Sequence, residues 1–173
     1  VTAYAPLWCK SHFSFLEGAS SPEELIATAA RLGLPAVAVT DRDGVHGLPG
    51  AHLAARERPD GPRLIAGSEV TVDDGSTVVL LATDGEGYRN LCRLITRGRL
   101  RCEKGQSRVG WDEVTDHAPG LIALWGGAAS RLAWARAPGA RPLREVAGRL
   151  REAFGDRLYA LACRHRRDDE PRA

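Results

Sequence analysis

The chain has 173 residues, 43% of them hydrophobic and 27% charged, a balance that suits one substantial globular core. Twenty-four Lys and Arg oppose 22 Asp and Glu, and the resulting formal charge of +2 is far from the basic excess that would announce a nucleic-acid binder. The four cysteines include no CxxC pair, which excludes a zinc knuckle and a thioredoxin-like motif, and no run approaches the roughly 20 apolar residues of a membrane span. Reduced thiols and the lack of a signal core lead us to expect a cytoplasmic protein without a membrane partner. The sequence contains no Met, so we expect flanking sequence beyond both ends.

In chain order, the first clear element is a helix starting at Ser21-Pro22-Glu23-Glu24. Ser21 supplies the N-cap, Pro22 suits the first helical position and Glu24 completes a capping box. Leu25, Ile26, Ala29 and Leu32 form its apolar face, and Gly33 offers a stop. Residues 36–40, AVAVT, then read as a buried strand that delivers Asp41 to its C-terminal end.

Further strands are expected at residues 64–66 leading into Gly67-Ser68-Glu69, at 77–83, at 121–125 and at 158–162. Helix-like stretches lie between them at residues 48–58, 88–95, 111–115 and 142–154. The expected rhythm is strand, helix, strand, helix throughout, as in an open doubly wound sheet or a β/α barrel. No GxGxxG or Walker-type loop marks a strand-to-helix turn, whereas Asp41 and Glu69 sit at strand ends, where barrels place catalytic or metal-binding groups. Residues 97–108 read as a basic loop carrying Arg97, Arg99, Arg101, Lys104 and Arg108. A solvated loop is the plain reading, and contact with a nucleic-acid backbone is the alternative.

The N-terminal run Leu7-Trp8-Cys9-Lys10-Ser11-His12-Phe13-Ser14-Phe15-Leu16-Glu17-Gly18-Ala19-Ser20 resembles the opening motif of PHP (polymerase and histidinol phosphatase) domains at the head of bacterial DNA polymerase III α subunits. That motif has an HxH pair, a Ser, a spacer, FS and D/E-G. Pro22-Glu23-Glu24-Leu25, Ala38-Val39-Thr40-Asp41, Ala66-Gly67-Ser68-Glu69-Val70, Leu80-Leu81-Ala82 and residues 87–95, GYRNLCRLI, follow in the family's order. Glu103-Lys104-Gly105 and residues 120–124, GLIAL, extend the match across nearly the whole chain, with most likeness to the error-prone, damage-tolerant branch.

The resemblance implies an α/β fold, a PHP-type distorted barrel of about seven strands, of which residues 1–173 form a single, incomplete domain. It further implies polymerase domains downstream, with Mg²⁺ as their cofactor, DNA as a partner of the full protein and other repair or replication proteins around it. In family members with an intact site, His, Asp and Glu bind two or three metal ions for phosphoester hydrolysis. Glu17, Asp41 and Glu69 keep carboxylates at those positions. Trp8 and Lys10 stand where the HxH pair belongs, Arg42 where a His commonly follows the Asp, and Thr77 where a His is expected at the start of the fourth strand.

We therefore expect a vestigial site without catalytic residues or a bound metal, held by Lys10 or Arg42 pairing with Glu17, Asp41 or Glu69. The alternative is a phosphoesterase or 3′ to 5′ exonuclease using Zn²⁺ or Mn²⁺ on Glu17, Asp41, Glu69 and His12 or His46. A nucleic-acid binding module working through the basic loop and the C-terminal arginines is the third reading. His52, His117 and His165 carry no stronger signal, and Cys9 is expected to alternate away from Trp8 and Lys10 into packing.

Overall fold

The computed structural model describes residues 4–126 and 143–161. The expectations attached to Cys163, Arg164, His165, Arg166 and Arg167 lie outside the described residues. Helix α1 (Pro22–Arg31) begins as its sequence dictates. Ser21 Oγ accepts from Glu24 N at 3.2 Å, and Glu24 Oε2 accepts from Ser21 N at 2.8 Å. Gly33, at φ +65°, takes the left-handed turn that ends it.

Strand β1 (Ala36–Val39), helix α2 (Leu48–Arg56), strand β2 (Arg63–Thr71), strand β3 (Thr77–Ala82), helix α3 (Gly85–Leu100), helix α4 (Trp111–Asp116), strand β4 (Leu121–Gly126), helix α5 (Leu143–Phe154) and strand β5 (Leu158–Leu161) follow. The strands form a mixed sheet in the order β1-β2-β3-β4-β5. The pairs β1/β2 and β4/β5 are parallel, while β3 is antiparallel to both neighbours. Beyond β1, the N-terminal segment adds a single parallel bridge, Cys9 to Val39, with Thr40 N donating to Cys9 O.

The expected alternation of strand and helix fails between β2 and β3. Asp73-Asp74-Gly75-Ser76 turns the chain directly back as a hairpin. Gly75 takes φ +83°, and Asp74 Oδ1 accepts from Ser76 N. The basic loop is corrected too, because α3 runs on to Leu100 and places Arg97 and Arg99 on a helix. Its N-terminus is fixed by Asp84, whose side chain accepts from Gly87 N at 2.8 Å.

Side-chain alternation gives the sheet two distinct faces. Val70, Val78, Leu80, Leu121, Ala123 and Trp125 face α3, α4 and α5 in the main core. Val37 and Val39 face α1 and α2, with Cys9 on their side. Among the described residues, all helices thus lie on one face. The other face carries a smaller cluster of Ala38, Val79, Leu81 and Leu124, with Trp8, Ile65, Ile122 and Leu161 packed against it. An open groove of about 1220 Å³ lies along this second face, lined in part by Leu7, Trp8, Ile65, Leu81, Ile122 and Leu161.

Candidate functional site

Glu69 projects from the uncovered face of β2, opposite Val79 of β3, and is completely buried. A buried carboxylate is stable only if its charge and lone pairs are met, and here three donors meet them. Trp8 Nε1 donates to Oε2 at 2.8 Å, Lys10 Nζ lies 2.5 Å from the same oxygen, and Arg42 Nη2 lies 3.4 Å from Oε1. Lys10 also pairs with Glu17, and Arg42 Nη2 reaches Glu17 Oε1 at 2.9 Å. Two cations and two carboxylates therefore form a closed alternating cluster. The Lys10 ammonium lies 5.2 Å from the centre of a Trp8 ring, adding a cation-π contact.

Backbone geometry explains the convergence. Trp8 and Lys10 share a parity in the N-terminal segment, while Cys9 between them points to the helical side. Burial pushes the Cys9 thiol up from its ordinary value, as befits a packed residue. Past the end of β1, an Arg42 to Glu69 bridge prolongs the β1/β2 ladder, with Glu69 N donating to Asp41 O and Asp43 N donating to Glu69 O. That ladder sets Arg42 beside Glu69.

Asp41 takes no part in the ion pairs. It is buried and accepts from Ser11 N at 2.8 Å, Ser11 Oγ at 2.8 Å and Ser14 Oγ at 2.7 Å. Its carboxylate ties the N-terminal loop to the strand end. Ser14 Oγ also accepts from Arg42 N at 3.0 Å. Gly47 abuts this arrangement so closely that a Cβ there would lie 2.5 Å from Asp41 Oδ2. Thr77 pairs with Thr71 on the uncovered face of β3, buried, and joins none of the cluster's hydrogen bonds or ion pairs.

The sequence reading overlooked Ser11 and Ser14, although both stand inside the quoted motif at a spacing of three. It also overlooked Asp43, a buried residue at φ +48° whose carboxylate accepts from Thr71 N and Thr71 Oγ1, each at 2.7 Å. Burial raises the Asp43 pKa above its ordinary value, against the opposing pull of Thr71, Arg99 and Arg42. Arg99 donates from Nε and Nη2 to the main-chain oxygen of Asp43, at 2.9 and 2.7 Å. The end of α3 is thereby tied to the loop that carries Arg42. Arg101 forks onto Glu113 of α4, and Lys104 and Arg108 are exposed.

None of the described histidines joins the hydrogen bonds or ion pairs of Glu17, Asp41 and Glu69. His12 and His46 are exposed and flank Phe13, with ring centroids 4.6 and 6.2 Å from it. His52 is exposed, and buried His117 places Nδ1 2.7 Å from Glu113 O at the end of α4. Among the described residues, no group of three His, Cys, Asp or Glu side chains is arranged to hold a metal ion. The metal cluster implied by the family resemblance does not fit these donors. Lys10 and Arg42 put cationic nitrogens, which have no lone pair to give, beside Glu17 and Glu69, where a dication would need imidazole or open carboxylate oxygens.

Comparison with known proteins places the chain at the level of family and fold. Residues 7–164 match the PHP domain family. An error-prone DNA polymerase of Pseudomonas aeruginosa is 50% identical over 125 residues, covering 72% of this chain and 12% of that protein. An error-prone DNA polymerase of Xanthomonas axonopodis pv. citri is 41% identical over 172 residues, covering 97% of this chain and 15% of that protein. The chain thus spans less than a sixth of the length of these relatives. Among solved structures, a protein of Bifidobacterium adolescentis assigned as a metal-dependent phosphoesterase superposes with a TM-score of 0.62 at 16% identity, over 90% of this chain and 75% of that one. An amidohydrolase of Chromobacterium violaceum gives a TM-score of 0.52 at 18% identity, over 88% and 74%. Likeness at such identities shows a shared fold.

Proposed function

The chain belongs to the PHP domain family, and on that premise we propose that it is the PHP module of an error-prone DNA polymerase, with a site that serves structure instead of hydrolysis. The polymerase that contains it would perform DNA-directed DNA synthesis in damage tolerance and repair, a nucleotidyl transfer that takes place in the cytoplasm. Mg²⁺ would serve that chemistry in domains outside this chain, and the rest of the polymerase would be this module's first partner. Identity of 41% over 97% of the chain to an error-prone polymerase supports the assignment.

One observation carries the structural role of the site. Three of the four residues that stand where the resemblance calls for His ligands, Trp8, Lys10 and Arg42, all donate to one buried carboxylate, that of Glu69, while Thr77 does not. A metal dication neutralises clustered carboxylates and fixes their geometry, and here an ammonium, a guanidinium and an indole perform that task. Asp41, freed from ligation, is satisfied by Ser11 and Ser14.

Phosphoester hydrolysis with Zn²⁺ or Mn²⁺ remains the second reading, favoured by the fold shared with an assigned metal-dependent phosphoesterase. An assay of phosphatase and 3′ to 5′ exonuclease turnover across Mg²⁺, Mn²⁺ and Zn²⁺ separates the two. The structural reading expects no turnover that Glu69→Gln removes. Metal-dependent turnover that Glu69→Gln abolishes would establish the second reading.

A further inference from the structure

Helix α3 and its C-cap carry Arg89, Arg93, Arg97 and Arg101 at successive intervals of four residues, and all four are exposed. The buried side of the helix is formed by Gly87, Leu91, Leu94, Ile95 and Gly98, so helical periodicity places Arg89, Arg93 and Arg97 on the side turned away from the core. With a rise of about 1.5 Å per residue, the four guanidinium groups originate along roughly 18 Å of axis, about 6 Å apart. Among the described residues only Arg101 of the four forms an ion pair, with Glu113 of α4. Like charges four residues apart destabilise a helix; Arg97 shares the field of the Glu113 carboxylate with Arg101, while Arg89 and Arg93 form no ion pair among the described residues.

We propose that this face of α3 is a contact surface for the phosphate backbone of duplex DNA, made chiefly by Arg89, Arg93 and Arg97. The inference rests on the polymerase reading for the presence of DNA, and the surface itself rests on the arginine register. Guanidinium groups suit phosphate oxygens through paired donors. The remainder of the face favours a duplex over a single strand. Its exposed residues between the arginines are Thr96 and Leu100, and it carries no aromatic ring on which unpaired bases could stack. Asn90, the planar amide between Arg89 and Arg93, is engaged with Pro119 O, and Glu86 lies one turn before Arg89, so the contact proposed is that of the arginines with the phosphate backbone. The surface differs from the basic loop expected from the sequence: Arg99 is committed to the Asp43 carbonyl and Arg101 to Glu113, while Arg93 and Arg89 lie about one and two turns before Arg97, where that loop was expected to start.

The test is equilibrium binding of the whole chain to a mixed-sequence duplex of about 20 base pairs as the salt concentration is varied. Three phosphate contacts predict a log-log slope of about −2.7, which is roughly a 40-fold loss of affinity between 50 and 200 mM salt. The triple variant Arg89→Gln, Arg93→Gln, Arg97→Gln is expected to remove most of that slope. The matching triple Lys variant, which keeps the charges, is expected to retain it, and circular dichroism of both variants checks that α3 is folded. A wild-type slope near zero, or a Gln variant that is folded and keeps the full slope, would overturn the proposal. So would binding of a single strand or of polyglutamate through these arginines without binding of the duplex. None of these failures touches the metal-dependent turnover assay, so the two readings fail separately.

Discussion

Glu69 is the residue on which the site turns, since its charge is wholly removed from water. Lys10 lies 2.5 Å from it with only 14% of its side chain exposed, whereas Arg42 is 3.4 Å away, 39% exposed, and leaves its buried Nε without a partner. The two cations therefore differ in weight. Lys10→Met should destabilise the fold by about 3 kcal/mol, because it strands a buried carboxylate. Arg42→Met should cost about 1 kcal/mol or less, in the range of a solvent-screened pair. Adding Glu69→Gln to Lys10→Met should recover part of the loss, and urea denaturation of the double-mutant cycle measures it. Equal costs for the two cations, or strict additivity in the cycle, would count against the cluster as described.

Asp43 gives a prediction in pH. Its pKa is raised in the folded state by burial, so the native protein holds that proton more tightly than the unfolded chain. Its contribution to stability is greatest below the ordinary Asp value and is lost as pH rises toward the raised one. Asp43→Asn does not titrate. Its stability relative to the parent should therefore climb across that window and then level, as thermal melts at stepped pH would show. A difference that falls with pH would contradict the burial argument. Neither Asp43 nor the serines holding Asp41 were legible in the sequence, because their roles depend on which backbone groups the loop brings within reach. Lys10, Arg42, Glu17 and Glu69 were legible as a group through the motif, though the indole donation from Trp8 was not.

At the scale of elements, α1 was readable residue by residue, since Ser21, Glu24 and Gly33 act locally. The β2/β3 hairpin carried an equally local signal in Asp74-Gly75, but the expectation of alternating strands and helices overrode it. The end of α3 was not local at all. Gly98 lies inside the helix where the segment around Val109 crosses it: a Cβ there would stand 2.7 Å from Ser107 Oγ and 2.8 Å from Val109 Cγ1. Gly98→Ala accordingly sets a helix-propensity gain of about 1 kcal/mol against an overpacking cost of about 1 to 3 kcal/mol. We expect a net loss of about 1 kcal/mol, measured as a lower urea midpoint. A variant more stable than its parent would show that the crossing segment yields freely.

For the whole molecule, the division of the sheet into a helix-covered face and an uncovered one decides where chemistry can sit. Trp8 links the two features of the uncovered face, lining the apolar groove with its ring and reaching Glu69 with its Nε1. Among the described residues, no helix is long and apolar enough to cross a membrane. The family was legible from ordered motifs along the chain, and the fold neighbours share its architecture at low identity. The departures from the motif that the resemblance implies were legible only as substitutions. Their consequence depends on whether the replaced side chains converge on one carboxylate, which a linear sequence does not display.

The central claim is that cations have taken the place of a metal. Calorimetric titration of the protein with Zn²⁺ and Mn²⁺, repeated on Glu69→Gln, tests it most directly. The account predicts no stoichiometric binding that depends on Glu69, and the two proteins should give matching traces. Tight one-to-one or higher binding in the parent, lost in Glu69→Gln, would contradict it.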